Sequence, residues 1–190
     1  MITRTPEIEA ILDELIGIEG DFVDDPNDAG GATRWGVTER LARAHGYQGA
    51  MADLPRETAE IIMLREKFAK PGFDKVLLRS RELAAELFEI EVNLPPGRAG
   101  QFLQRALNAL NDPDGDGKEN YPALKLDGQI GAVTMKALDA FLNLRKSAGE
   151  RCLLLLVNSQ QAVYYIERVE IRAPSKKFIF GWTMARVKLP

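Results

Sequence analysis

The sequence predicts a mostly α-helical protein with few or no short strands. In most segments, apolar residues recur at spacings of three and four, which is the period of an amphipathic helix. Alternating patterns typical of strands are few, and glycine, proline and aspartate separate the apolar segments. With 190 residues, the chain is long enough for one well-buried domain or for two small lobes that share a core.

Capping and stop residues place the helix boundaries. Thr5-Pro6 predicts the start of the first helix, because a capping hydroxyl precedes proline at the first helical position. Gly17 predicts its end. Six further helices are predicted over residues 38–44, 55–68, 80–92, 98–111, 133–144 and 148–172. The aromatic tail, residues 178–182, is expected to pack back on the body of the protein.

Composition excludes several classes of function. The net charge of −3, with lysine and arginine spread along the chain, gives no reason to expect nucleic-acid binding. A single cysteine excludes an intramolecular disulfide. The single histidine, His45, excludes multi-histidine zinc sites, and it excludes Ser-His-Asp chemistry unless His45 is itself the base. No apolar run approaches the ~20 residues of a membrane span, so no membrane insertion is expected.

An acidic, glycine-rich loop runs from Glu19 to Gly36, between the first two predicted helices. Glu19 follows a helix C-terminus, where partial negative charge disfavours the carboxylate form and raises the expected pKa. A glycosidase needs such a protonated carboxyl and a second polar group. Asp28 and Thr33 lie across a cleft from Glu19 if the loop folds back at Gly30-Gly31. Position alone leaves two interpretations open: a catalytic loop and a solvated surface loop.

The order of residues in this loop is similar to the signature of glycoside hydrolase family 108. That family consists of lysozyme-like muramidases found among phage lysins and bacterial secretion-associated proteins. Asp21 departs from the family pattern, because a second glycine is usual at that position. The matching residues are Glu19-Gly20, Asp25-Pro26, Asp28, Gly30-Gly31, Thr33 and Gly36-Val37-Thr38.

Downstream motifs resemble the peptidoglycan-binding region that accompanies this family. The resemblance implies a lysozyme-like helical fold in two parts. Residues 1–93 would form a catalytic region, with its catalytic loop between the first two helices, and residues 94–190 a helical peptidoglycan-binding region packed on it as one compact unit. The motifs are Glu91-Val92-Asn93, Pro96-Gly97-Arg98-Ala99, Leu103 to Leu107, Asp127 to Gly131 before Thr134, and Phe180-Gly181-Trp182 with Arg186-Val187.

The resemblance also implies an activity and its residues. Glu19 would protonate the departing oxygen of the β-1,4 bond between N-acetylmuramic acid and N-acetylglucosamine. Asp28 and Thr33 would position water or stabilise the positive sugar centre. Asp25 and Asn93 are assigned to substrate binding, and so are Trp35 and Tyr121, because aromatic rings in or beside loops are placed to stack on a sugar face. The alternative is a non-catalytic peptidoglycan-binding protein, in which Asp21 has cost the first half its activity.

The expected partner is bacterial peptidoglycan, and the expected oligomeric state is a monomer. The acidic N-terminal segment lacks the apolar core of a signal peptide. We therefore expect an endolysin that is synthesised in the cytoplasm of a host bacterium. It would act on the cell wall in the periplasm after release or export.

Residues 112–117 resemble the start of an EF-hand calcium-binding loop. Asp112, Asp114 and Asp116 occupy positions 1, 3 and 5, and a glycine occupies position 6. Position 12, which should be a bidentate glutamate, is Ala123. An acidic solvated turn is therefore favoured over a calcium site, and no cofactor is expected.

Overall fold

The computed structural model describes residues 4–19, 22, 31–111, 115 and 117–187, without the side chains of residues 16–19. The predicted fold class is confirmed, because helices dominate the described part of the chain. Regular strand there consists of two segments of two residues each. The chain forms two compact units, residues 1–70 and residues 71–190. The expected boundary between a catalytic and a binding region at residue 93 concerns function and stays a prediction.

The first unit is a small helical unit with one short hairpin. Helix α1 extends two residues beyond its predicted end at Gly17. A glycine inside a helix costs about 1 kcal/mol, which is too little to end a helix by itself. The helix buries Ile8, Ile11, Leu12 and Leu15 on one face. The elements are α1 (Pro6–Glu19), β1 (Thr33–Arg34), β2 (Val37–Thr38), α2 (Glu39–Ala44), a 3₁₀ turn (Met51–Asp53), α3 (Arg56–Met63) and a π-helix (Leu64–Ala69).

A cluster of ion pairs connects the start of the chain, α1 and α3. The carboxylate of Glu60, on α3, lies 2.6 Å from Nη2 of Arg4 and 2.7 Å from Nε of Arg56. Arg4 also pairs with Glu9, and Arg56 with Asp13. The hydrogen bonds to Glu9 and Glu60 raise the pKa of Arg4. The mostly buried Glu60 thus pairs with Arg4, before α1, and with Arg56, on α3. Together with the pair between Arg56 and Asp13, these contacts hold α3 beside α1.

The second unit contains the longer helices. Helix α5 begins where the Ser80 hydroxyl accepts a hydrogen bond from the Leu83 backbone N–H at 2.9 Å. Its apolar face is fully buried at Leu83, Leu87 and Phe88. The elements are α4 (Phe73–Leu77), α5 (Arg81–Asn93), α6 (Arg98–Ala109), α7 (Ala132–Ile171), a 3₁₀ turn (Ala173–Ser175) and α8 (Lys176–Arg186).

Helix α7 is interrupted near its first third. Lys146 has φ 51° and ψ −141°, a conformation outside the helical region that is unfavourable for a residue with a Cβ atom. The interruption divides α7 into residues 132–145 and 147–171, which confirms the prediction of two helices. Gly149 allows the close approach after the break, because a Cβ atom there would lie 2.6 Å from Cβ of Arg145 and 3.0 Å from the ring of Phe141.

The aromatic tail packs on α7, as predicted. Its residues form α8, where the ring of Trp182 lies 5.5 Å from the ring of Tyr165 and 5.7 Å from that of Phe178. Burial raises the pKa of Tyr165. Among the described helices, none is both long enough and apolar enough to cross a membrane.

Helix α6 carries a row of amide side chains that bind an irregular segment. Every residue from 117 to 131 is described, and none lies in a helix or strand. Gln104 donates to Asp127 Oδ1 at 2.9 Å and accepts from the Gly128 N–H at 2.9 Å. Asn108 exchanges two hydrogen bonds with the backbone of Leu124, at 2.9 and 2.7 Å. These contacts supply the partners that a helix or strand would otherwise give the segment.

Three glycines bring the same segment into backbone contact with α6. A Cβ atom at Gly100 would lie 2.1 Å from the carbonyl oxygen of Gly128. A Cβ atom at Gly128, whose φ is 76°, would lie 2.5 Å from the carbonyl oxygen of Gly97. The segment can therefore lie against α6 only where these side chains are absent.

We predict that Gly100→Ala lowers the free energy of unfolding by about 3 kcal/mol, because the new methyl group overlaps the Gly128 carbonyl. Thermal unfolding followed by circular dichroism measures the loss. The control is Gly181→Ala in α8, where no atom lies within 4 Å of the new methyl group. There, helix propensity favours alanine by up to about 1 kcal/mol. Equal melting temperatures for the two variants would contradict the prediction.

Candidate active site

Glu19 is the last residue of α1. This places its backbone at the negative end of the helix dipole, as predicted from the sequence. Its side chain lies outside the described part of the chain, and so do Asp21, Asp25 and Asp28. The roles of Glu19, Asp25 and Asp28 therefore stay predictions.

Thr33 begins a tight antiparallel hairpin at the end of the glycine-rich loop. Thr33 pairs with Thr38, and Arg34 with Val37. The two residues between the strands, Trp35 and Gly36, have φ values of 53° and 74°. Positive φ at both central positions is typical of the type I′ turn, whose twist matches that of the flanking strands. The turn therefore sets the position of Thr33.

The ring of Trp35 is held by two contacts. Its Nε1–H donates to the carbonyl oxygen of Leu54 at 3.0 Å, just after the 3₁₀ turn. The guanidinium of Arg34 lies 5.3 Å from the ring centroid, within the range of a cation–π contact. The side chain is half-buried. A ring fixed in this way, beside the predicted catalytic loop, is suited to stacking on a sugar.

The second strand continues directly into α2. The Thr38 hydroxyl accepts a hydrogen bond from the Leu41 N–H at 3.4 Å and caps the helix. The Glu39 N–H donates to the Ala32 carbonyl at 2.7 Å. Gly31 has φ 75°, and a Cβ atom there would lie 3.2 Å from Cβ and Oε2 of Glu39. The second glycine of the Gly30-Gly31 pair is thus required by backbone conformation and by the space beside Glu39.

His45 lies at the C-terminal cap of α2. Its Nε2 atom lies 3.3 Å from Oε1 of Glu66 on the π-helix. The hydrogen bond from Lys70 lowers the pKa of Glu66. These contacts give His45 a structural role.

Asn93 and Tyr121, both assigned to substrate binding, lie in the second unit. The Asn93 amide donates at 2.9 Å to the backbone carbonyl of Glu89 and to its carboxylate. Tyr121 is 8% exposed and donates its hydroxyl to the Leu107 carbonyl at 2.7 Å. Burial raises the pKa of Tyr121 to about 12. The buried ring and its bonded hydroxyl therefore support the irregular segment, and they offer a sugar no exposed face.

Asp112, Asp114 and Asp116 lie outside the described residues, so the preference for an acidic solvated turn over a calcium site stays a prediction. The base of their loop is closed by Asn111. Its Oδ1 atom accepts from the backbone N–H groups of Asn120 and Tyr121, each at 3.1 Å, and its Nδ2 donates to the Tyr121 carbonyl at 2.6 Å. Within the described ranges, no group of three acidic, cysteine or histidine side chains is placed to hold a metal ion.

A buried polar cluster in the second unit was not predicted. The Glu89 carboxylate is 5% exposed and accepts from Gln161 Nε2 at 2.8 Å. The guanidinium of Arg186, on α8, lies 3.3 Å from it. The signal in the sequence was three glutamates spaced among apolar residues of one helix, at Glu86, Glu89 and Glu91. This cluster connects α5, α7 and α8, and both oxygens of Glu91 accept from the Gly97 N–H at 3.0 Å.

Comparisons with known proteins cover nearly the whole chain. Residues 12–94 match the family model described as glycosyl hydrolase 108, and residues 98–187 match a model described as a predicted peptidoglycan domain. Ten chains of solved structures match, among them SagA of Brucella abortus. That structure is 19% identical over 93% of this chain and 87% of its own, with a TM-score of 0.67, which shows a shared fold. No curated protein matches.

We predict that Gly31→Ala destabilises the protein more than Gly46→Ala does. Both glycines have positive φ, which costs an alanine roughly 1 kcal/mol. The new methyl group at residue 31 also presses on Glu39, whereas at residue 46 it meets no atom within 4 Å. Thermal unfolding of the two variants isolates the contact with Glu39. Equal losses of stability would mean that Gly31 is needed for its conformation alone.

Proposed function

Since the chain belongs to glycoside hydrolase family 108 and carries a peptidoglycan-binding domain, we propose that it is an N-acetylmuramidase. It cleaves the β-1,4 bond between N-acetylmuramic acid and N-acetylglucosamine in peptidoglycan. The single observation that carries the proposal is the match over residues 12–94, which contains the whole acidic loop and the hairpin after it. The fold shared with SagA is consistent with it.

Glu19 is the proposed general acid. The end of α1 supports this assignment, because the negative end of a helix dipole favours the neutral, protonated carboxyl. In that form, Glu19 gives its proton to the departing glycosidic oxygen. General acid catalysis of this kind contributes roughly 10²- to 10⁴-fold to a reaction rate.

Asp28 and Thr33 are proposed to act at the sugar centre. The Asp28 carboxylate stabilises the positive charge or activates water, and the Thr33 hydroxyl orients that water. The support for Thr33 is its place at the base of a tight hairpin, where the strand pairing with Thr38 limits its movement. Asp25, Trp35 and Asn93 are the proposed substrate-binding residues.

The second candidate function is a non-catalytic peptidoglycan-binding protein. The observation that favours it is the separate match of residues 98–187 to a peptidoglycan domain. Asp21, which replaces the usual glycine of the family signature, would then have cost the first half its activity. In either case the proposed partner is bacterial peptidoglycan.

We propose that the protein is a monomer. If it is the enzyme, we propose that it acts as an endolysin, which reaches the periplasmic cell wall after release or export.

We predict that Glu19→Gln lowers the rate of peptidoglycan hydrolysis by about 100-fold or more, because glutamine has no proton to give to the leaving oxygen. Turbidity loss of purified peptidoglycan measures the rate. The control is Glu57→Gln on α3, an exposed residue with the same change of charge. Analysis of the new reducing ends identifies the bond, and muramic acid is the expected sugar.

Equal clearing by the wild type and Glu19→Gln would eliminate Glu19 as the acid. If neither protein clears the wall and both co-sediment with it, the chain is a non-catalytic peptidoglycan-binding protein. New reducing ends of N-acetylglucosamine would show that the protein is a hydrolase that cleaves the other β-1,4 bond of the glycan, the bond after N-acetylglucosamine.

Trp35 offers a separate test of substrate binding, because Trp35 and Trp182 are the two tryptophans of the chain. In Trp182→Phe, fluorescence reports on Trp35 alone. We predict that its emission changes and saturates as soluble peptidoglycan glycan fragments are added. In Trp35→Phe, which retains Trp182, the emission should stay constant. A response from Trp182 alone would remove Trp35 from the site.

A further inference from the structure

A groove runs between α6 and residues 147–171 of α7. The two helices are antiparallel here, because Arg98 lies beside Tyr164 and Phe102 lies beside Gln160. Gln160 closes the floor by donating from Nε2 to the Phe102 carbonyl at 2.9 Å. The cavity has a volume of about 350 Å³. It lies entirely within residues 98–187, the part of the chain that matches a peptidoglycan domain.

The groove is more basic than the protein as a whole. Arg98 and Arg105 line it, against one carboxylate, that of Glu167, although the chain has a net charge of −3. The guanidinium of Arg98 lies 5.8 Å from the ring centroid of Tyr164, which fixes one cation at the end of the groove. Arg105 is exposed and makes no hydrogen bond or ion pair with any residue that the structure describes. Its five N–H donors are therefore available to a ligand.

A second cavity of about 380 Å³ continues the groove, and Ala109 lines both. The second cavity ends at Arg145, Ala148 and Gly149, near the interruption of α7. Residues 148–167 of α7 extend for about 28 Å at the helical rise of 1.5 Å per residue. That length accommodates roughly eight residues of extended peptide. An extended ligand that lies along α7 would therefore reach both cavities.

We propose that this groove binds the stem peptides of peptidoglycan through their free carboxylates, an inference that rests on the proposed function for the identity of the polymer. A guanidinium binds a carboxylate with two parallel hydrogen bonds, and Arg98 and Arg105 lie on the same face of α6, two turns apart. The apolar walls at Phe102 and Val163 suit the small apolar side chains of such peptides. In the intact wall each substituted lactyl carboxyl of the glycan is bound in an amide to its stem peptide, so the glycan strand itself offers these guanidinium groups no carboxylate there.

The experiment compares binding to two forms of the wall. Full-length protein carrying Glu19→Gln, used to limit digestion, is co-sedimented with intact peptidoglycan and with glycan from which an amidase has removed the stem peptides. The test variant adds Arg105→Glu. The matched control adds Arg151→Glu, which has the same change of charge at an exposed position of α7 outside the groove. Circular dichroism melting checks that each variant is folded.

We expect Arg105→Glu to weaken binding to intact peptidoglycan by about tenfold or more, the equivalent of one charge-assisted hydrogen bond. Arg151→Glu should bind as the parent does. Removal of the stem peptides should weaken binding of the parent protein by about tenfold, as Arg105→Glu does. Equal binding by the Arg105 and Arg151 variants would overturn the proposal. So would binding of the parent that is equal on intact and stripped material and unchanged by Arg105→Glu, because the ligand would then be the sugar chain and not a carboxylate; the stripped glycan still carries the lactyl carboxylates that the amidase frees.

A failure of the proposed function is visible separately. Turbidity loss is measured with the wild-type chain and with Arg151→Glu alone. If these proteins bind the wall but do not clear it, the hydrolase assignment fails, and the comparison of Arg105 with Arg151 still decides whether the groove holds the stem peptides.

Discussion

The second unit depends on hydrogen bonds from amide side chains of α6 to an irregular segment of backbone. Buried N–H and C=O groups must find partners, and residues 120–130 have no helix or strand to supply them. Gln104 and Asn108 supply them from one face of α6, and Asn111 does so just beyond its end. The hydrogen bonds from Gln104 and from the Gln129 N–H lower the pKa of Asp127, which keeps that carboxylate charged in its place.

This arrangement explains two of the motifs physically. The glycines of Pro96-Gly97 and Asp127-Gly128 are the points where two backbones touch. A side chain at Gly128 would overlap the backbone of Gly97, whereas at Gly97 the φ of 85° disfavours one. Glu91 accepts from the Gly97 N–H and fixes the turn between α5 and α6. The same helix that holds the segment on one face leaves Arg98 and Arg105 on the wall of the groove. Support of the fold and the proposed recognition of the wall are thus divided between faces of α6.

In the first unit, side-chain hydrogen bonds likewise stabilise a short piece of backbone, the hairpin at residues 33–38. The type I′ turn at Trp35-Gly36 closes a hairpin of only two paired residues on each strand. Such a hairpin is marginal by itself. Contacts outside the hairpin stabilise it: the hydrogen bond of Trp35 to Leu54 and the cap that Thr38 provides to α2. The position of Thr33 therefore depends on the turn and on these two contacts outside the hairpin.

The sequence by itself determined the helical class, most helix boundaries and the family, because capping residues, apolar periodicity and spaced motifs are local signals. It placed two helices in α7, and the break at Lys146 agrees. Only the tertiary structure decided that Tyr121 is buried and that Glu89 meets Gln161 and Arg186, 72 and 97 residues later in the chain. The groove between α6 and α7 likewise joins segments that are distant in sequence. Such contacts depend on how the helices pack against one another. The spacing of residues along one helix shows which face is buried but not which helix packs against that face.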